Sequence, residues 1–322
     1  VPRHLPTDRR VWSIVTTTLV VVFMSLALPG ALATDRLATP PPDRPFARFS
    51  PPPVPTVPAT ATVATGGGSA LTTGSRQTLD ARVAALGEGV DVGIAVQDLR
   101  TGTTYSHNGQ QGFPAASVAK LTVLTMLHLR AEEEARDLTA AERARAERMI
   151  RFSDNDVVDD LYARMGFTDG FRRHADALGF IGTEPDPGGS WGATSTTPVD
   201  QLRLLRALYT DEGPVPDDGR AHIRELMESV APEQAWGVSA VASAGDTVGL
   251  KNGWTPREAN GGLWTINSVG HVSGQDHAYL IAVMSDGHPD HAAGVALVEE
   301  LVTEVVTAIE SPDVQDDTTH VR

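Results

Sequence analysis

The chain has no cysteine and only two lysines in 322 residues. The first absence excludes disulfides, thiolate metal sites and a lipidated N-terminal cysteine. It leaves the compartment open, because many exported bacterial enzymes lack disulfides. The scarcity of lysine is more informative. Arg stays protonated at any pH a protein meets, whereas a buried Lys can lose its proton and act as a base. This chain uses Arg for its ordinary cationic charge and keeps Lys at two places, Lys120 and Lys251. Positive charge is outweighed throughout: the net charge is −15, and an acidic surface repels nucleic acid and anionic lipid, so neither is an expected partner.

Residues 11–28 form an almost wholly apolar, uncharged stretch behind Arg3, Arg9 and Arg10. Ala31 and Ala33 flank Leu32 in the pattern of a signal-peptidase site, so residues 1–33 read as a signal peptide cleaved before Thr34. The stretch is long for a signal core, and an uncleaved membrane anchor is the alternative. Residues 34–75 read as a linker: proline dominates from Pro40 to Pro58, and Gly66, Gly67 and Gly68 follow. Extended polyproline II at about 3.1 Å per residue gives such a linker a reach on the order of 100 Å. These features predict a secreted or otherwise extracytoplasmic protein, associated with the cell wall or held at a membrane. Residues 76–311 are left for one folded domain, and residues 312–322 for a polar, disordered tail.

Within the domain, Thr78 is the expected cap of a short helix carrying Leu79, Val83 and Leu86. Residues 90–99 alternate as a strand, and 103–107 return after a turn at Thr101 and Gly102. The period then becomes helical over 116–129, 139–149, 156–165, 169–178, 198–209 and 218–230. Strands resume at 247–250, 263–271 and 278–284, and residues 292–309 close the domain as a long helix. Strands early and late with helices between them predict an α+β fold. One antiparallel sheet of about five strands is flanked by the N- and C-terminal helices and interrupted by a helical subdomain, with the active site at the seam.

Three short motifs carry chemistry. Ser117 and Lys120 are three residues apart at a predicted helix start, so they share a face, where free N–H groups and the helix dipole favour negative charge. A serine there can lose its proton to the lysine and have its adduct stabilised by backbone donors. Ser153, Asp154 and Asn155 lie between two helices, where a cap is the structural reading. Lys251, Asn252 and Gly253 fall at the end of a predicted strand, and a strand glycine often marks close approach of a ligand to backbone. Ser-x-x-Lys alone is a weak signal; the ordered trio is far more specific.

In this order the motifs resemble those of the class A β-lactamases and their penicillin-binding relatives, the penicillin-recognising serine hydrolases, across the whole predicted domain. The resemblance implies a β-lactamase/transpeptidase-like fold and an acyl-enzyme on Ser117, with Lys120 as its proton acceptor. Ser153 would relay a proton to the leaving nitrogen. Asn155 would hold Lys120 and the substrate amide. Lys251 would supply positive potential for the substrate carboxylate, and the N–H groups of Ser117 and Trp254 would form the oxyanion hole. The implied substrate is a β-lactam or a peptidoglycan peptide, and no metal or cofactor is expected; a monomer is the default expectation, on which the sequence itself is silent. A D-alanyl-D-alanine carboxypeptidase and a penicillin-binding or sensing module are the alternatives. Three departures stand out. Asn252 replaces a hydroxyl residue, though its amide can still donate to a carboxylate. The interval from Ser117 to Ser153 is short. The family's Glu-x-x-Leu-Asn segment, which carries the water-activating base, is absent ahead of Thr196, Thr197 and Pro198, leaving Glu184 and Asp186 as candidates. Arg257 reads equally as a second cation near the carboxylate site or as surface. His288 to His291 read as solvent-exposed rather than metal-binding, and Trp191, Trp254 and Trp264 as core ahead of cleft walls.

Overall fold

The computed structural model describes residues 71–311. The expected signal peptide, linker residues 34–70 and the C-terminal tail lie outside the described residues. Helix α1 (Thr73–Leu86) is capped by the Thr72 hydroxyl, which accepts the Ser75 N–H. It therefore opens before Thr78, and residues 71–75 are its cap and first turn rather than linker. The hairpin β1 (Asp91–Asp98) and β2 (Thr104–His107) follows, then a two-residue strand β3 (Phe113–Pro114). Five helices come between: α2 (Ala119–Glu133), α3 (Ala140–Arg151), α4 (Val158–Arg164), α5 (Phe167–Ala177) and, after the two-residue strand β4 (Ser195–Thr196), α6 (Pro198–Tyr209). Helix α7 (Asp217–Met227) leads to strands β5 (Thr247–Pro256), β6 (Trp264–Ser273) and β7 (Ala278–His288), and α8 (His291–Glu310) ends the domain.

The five long strands form one antiparallel sheet in the order β2-β1-β7-β6-β5, so the last strand made lies beside the first. Their period-two alternation feeds two cores. Val92, Ile94, Val96, Ile281 and Val283 meet α1 and α8 through Leu79, Val83, Val298 and Leu301. Leu280, Ala282 and Met284 face the opposite way, toward α2 and α6. Each such buried aliphatic contributes roughly 1.5–3 kcal/mol. Helix α2 is buried nearly all round, from Ala119 through Leu129, where an amphipathic face would be the sequence expectation; it is the axis of the helical subdomain, packed by its neighbours on every side. Helix α3 starts as its sequence predicts, in a capping box between Thr139 and Glu142.

Strand β5 runs well past its expected end at Leu250, so Lys251, Asn252 and Gly253 lie in its middle. It is an edge strand, which is why Pro256 can close it without breaking the ladder. Its free edge faces the turn that carries Ser117, and that juxtaposition builds the site. Among the described residues, no helix is long and apolar enough to cross a membrane.

Candidate active site

The residues ahead of α2 are not helical. Ala116 has φ of +46°, a left-handed conformation that a side chain resists, and residues 116–118 form a tight 3-10 turn before the α-helix begins at Ala119. Surrounding contacts hold this strained turn. Asn267, fully buried on β6, donates its amide to the carbonyls of Pro114 (2.8 Å) and Ala115 (3.2 Å), while its Oδ1 accepts the Ser285 N–H at 3.0 Å. The Ala115 N–H donates to the Thr194 carbonyl at 2.8 Å. On the other side, a Cβ added to Gly253 would lie 2.8 Å from the Ser117 nitrogen and 2.9 Å from the Ala115 carbonyl oxygen. Gly253 therefore makes room for the turn's own backbone, not for a ligand as its motif suggests.

Lys120 reaches Ser117 from the first turn of α2 and is fully buried. Its Nζ lies 2.6 Å from the Ser153 carbonyl, 2.5 Å from Asn155 Oδ1, 3.1 Å from Ser117 Oγ and 3.2 Å from Ser153 Oγ. The first two partners can only accept, so they take two N–H groups. A neutral amine has two, and its lone pair is then left for a hydroxyl proton. Burial lowers the Lys120 pKa to about 8, against an opposing pull from Asp154. Asp154 is itself engaged, accepting the Asp156 N–H at 2.8 Å and pairing with Arg148, which hold its carboxyl below the usual range.

Lys251 enters from β5, also buried, with Nζ 3.0 Å from Ser153 Oγ and 2.7 Å from the Asn252 carbonyl. Burial, and then the neighbouring Lys120, push its pKa well below the ordinary lysine value. Ser153 thus stands between the two amines. It is held in a left-handed backbone conformation at φ +55° and does not cap a helix, since α4 has Val157 at its N-cap without a side-chain bond.

A cleft of about 580 Å³ opens above these groups, lined among others by Ser117, Asn155, Asp159, Trp191, Trp254, Thr255 and Arg257. Three sequence expectations need correction here. Asn252 is fully buried, and its amide donates to the carbonyls of Gln234 (2.8 Å) and Trp236 (3.0 Å); no N–H remains for a substrate carboxylate. Glu184 is exposed and absent from the cleft wall, and its backbone pairs with Ser195 in a β-bridge. Asp186 fares no better as a base: its Oδ2 accepts the Ser190 N–H at 3.1 Å in a local turn. Among the three residues that follow Asn252, Thr255 brings a hydroxyl to the cleft lining.

Arg257 does reach the cleft wall, but it is paired with Asp286, which also accepts the Thr265 hydroxyl at 2.8 Å. His288 is buried against Ser285 Oγ at 2.8 Å, not exposed, and the His291 ring packs edge-on to Trp236, Trp254 and Trp264. Among the described residues no group of side chains could hold a metal ion. Trp191 and Trp254 are cleft walls; Trp264 is not.

Sequence reasoning misses Asn267, Asp159 and Asp200. Asp200 is buried at the foot of the loop before α6, accepting the Gly182 N–H and the Thr183 hydroxyl, each at 2.8 Å. The position after Pro198 and Val199 is a plain helix N-terminal Asp in sequence, and nothing local marks Asn267.

Residues 75–147, a stretch holding Ser117 and Lys120, match the family model described as the β-lactamase enzyme family. Sequence comparison with curated proteins finds no match. The fold is similar to that of PBP-A, with TM-score 0.63 and 19% identity over 76% of this chain and 98% of that one. A mutant of PBP-A, seen as an acyl-enzyme complex with penicillin G, aligns with TM-score 0.63 and 18% identity over 76% of this chain and 99% of that one. A class A β-lactamase from Bacteroides cellulosilyticus gives TM-score 0.63 and 19% identity over 74% and 99% of the two chains. The α+β, β-lactamase-like fold expected from the sequence is therefore the fold observed.

Proposed function

We propose that the protein is a serine hydrolase acting on β-lactam-like cyclic amides through an acyl-enzyme on Ser117. One observation carries this reading: the Lys120 amine lies 3.1 Å from Ser117 Oγ with two acceptor-only partners for its N–H groups. In its neutral form, Lys120 takes the Ser117 hydroxyl proton as Oγ attacks the amide carbonyl carbon. Negative charge builds on the carbonyl oxygen, for which the N–H groups of Ser117 and Trp254 are the candidate donors. The C–N bond then breaks, and the nitrogen takes a proton from Ser153 Oγ, resupplied by the Lys120 ammonium formed in the first step, which leaves that amine neutral again. Asn155, at the cleft wall, is suited to the substrate's side-chain amide, and buried Lys251 supplies positive potential from below. Water afterwards attacks the ester carbonyl, the ester C–O bond breaks, and the proton returns to Ser117.

A D-alanyl amide of peptidoglycan is the second substrate class, as is a binding or sensing role without turnover. The exposed position of Glu184 favours this second reading, since rapid deacylation needs a base in the cleft. The N-terminal apolar segment and proline-rich stretch support an extracytoplasmic location, where both substrates are met. The test is to incubate the protein with a chromogenic cephalosporin and with a fluorescent penicillin, following intact mass and mapping the adduct. A mass increase on Ser117 is expected. Hydrolysis of the cephalosporin without a lasting adduct also supports it; no adduct and no hydrolysis of either compound, or an adduct on another residue, sinks the reading.

A further inference from the structure

We propose that Trp191, clamped by Asp159, is a cover that keeps water from the acyl ester on Ser117 and gives the acyl-enzyme a long life. The inference rests on the acylation of Ser117 proposed above. Its grounds are separate: they concern what stands over Lys120 and what is missing beside it.

The Trp191 ring centroid lies 4.9 Å from Lys120 Nζ, on the cleft side of that amine, since Trp191 and Ser117 line the same cleft. Its indole N–H donates to Asp159 Oδ1 on α4 at 2.8 Å, and its ring packs against the helical core. The loop that carries it is fixed at its foot by Asp200, which accepts the N–H groups of Ile181 and Gly182, and in its middle by the bridge between Glu184 and Ser195. Trp191 thus sits on an anchored loop and is tied to α4 by Asp159, and both side chains line the cleft.

Deacylation needs a water molecule whose oxygen attacks the ester carbon while its proton passes to a base. The ester C–O bond then breaks and Ser117 Oγ regains a proton. Among the described residues no carboxylate bonds to Ser117 or Lys120. Asp154 is taken up by Arg148 and its own turn, and Glu184 lies outside the cleft. Lys120 is then the base in reach, and a water using it must stand beside its Nζ. Trp191 occupies one side of that space, and aromatic surface offers a water no acceptor along it. Asp159 is the one carboxylate among the cleft-lining residues, and its Oδ1 is engaged by the indole.

The test compares adduct lifetimes on Ser117 by intact mass, after acylation of the full chain with the fluorescent penicillin and removal of excess compound. Trp191→Ala is expected to shorten the lifetime by about tenfold or more, with acylation slowed less than deacylation is sped. Trp191→Phe keeps a ring over Lys120 but loses the clamp, and falls between the two. Asp159→Asn keeps an acceptor for the indole and shortens the lifetime by only about two- to threefold. A Trp191→Ala lifetime equal to the parent's overturns the proposal, as does a parent adduct that clears within seconds. A longer lifetime in Asp159→Asn also overturns it, by making Asp159 the base. Should Trp191→Ala fail to fold, the order parent, Asp159→Asn, Trp191→Phe decides. A parent protein that neither acquires an adduct nor hydrolyses either compound refutes the acylation reading itself and takes the cover with it, an outcome distinct from adducts of equal life or from turnover without a lasting adduct, which overturn the cover alone.

Discussion

Two segments face one cleft and are held by different means. The turn at residues 114–118 is gripped through its own backbone from several sides: the Asn267 side-chain amide on its carbonyls, the Thr194 carbonyl on its N–H, and Gly253 pressed against it with no room for a methyl group. The loop at residues 181–197 is fixed by side chains at two places, Asp200 at its foot and the Trp191–Asp159 pair farther along. The first arrangement stores strain at Ala116 and sets one atom, Ser117 Oγ, beside a buried amine. The second sets a surface, and lets the carboxylates of Glu184 and Asp186 go elsewhere. A nucleophile needs placement to a fraction of an ångström, whereas a wall needs only to be there.

Lys120→Arg breaks this comparison most sharply. The charge is kept but the group cannot become neutral, so the acylation rate should fall by about 10³-fold; normal acylation in stopped-flow fluorescence would remove Lys120 as the base. Gly253→Ala follows. The added carbon meets backbone rather than a yielding side chain, so the Ser117 turn must shift, and acylation should drop by roughly 100-fold. Asn267→Ala frees the turn and leaves the buried Ser285 N–H unpaired. Denaturant melts should show a loss of about 1–3 kcal/mol, with a lower acylation rate among the molecules that remain folded. At the small end, Glu184→Gln should change neither acylation nor deacylation by more than about twofold, as expected of an exposed surface side chain. A large slowing of deacylation there would return Glu184 to the cleft.

These contrasts also mark what a sequence conveys. The proposed nucleophile, its proposed base and the two later motifs are legible because each is a residue type at a fixed local spacing, and because lysine is so rare elsewhere in the chain. The sheet and its flanking helices follow from period-two and helical patterning. Asn267 is silent because its partners lie 152 and 153 residues away, and a buried amide in a strand looks like any other Asn. Gly253 carries a signal with two meanings, and only the packing of β5 on the turn selects between them. Asn252 misleads for a related reason: its position next to Lys251 suggests the cleft, while the carbonyls of Gln234 and Trp236 draw its amide the other way. Glu184 is misread because its side chain follows the path of a loop, and that path is set by Asp200 and the Ser195 bridge rather than by neighbours in sequence.

The central claim is that burial readies Lys120 to accept the Ser117 proton. With a pKa of about 8, about a tenth of the molecules carry a neutral amine at pH 7, against roughly 0.03% for an unperturbed lysine. The direct measurement is the acylation rate constant from pH 5 to pH 10 with the fluorescent penicillin. The predicted result is a rise of about tenfold per pH unit that levels near pH 8. A rate that does not change with pH, or one still climbing at pH 10, would contradict it.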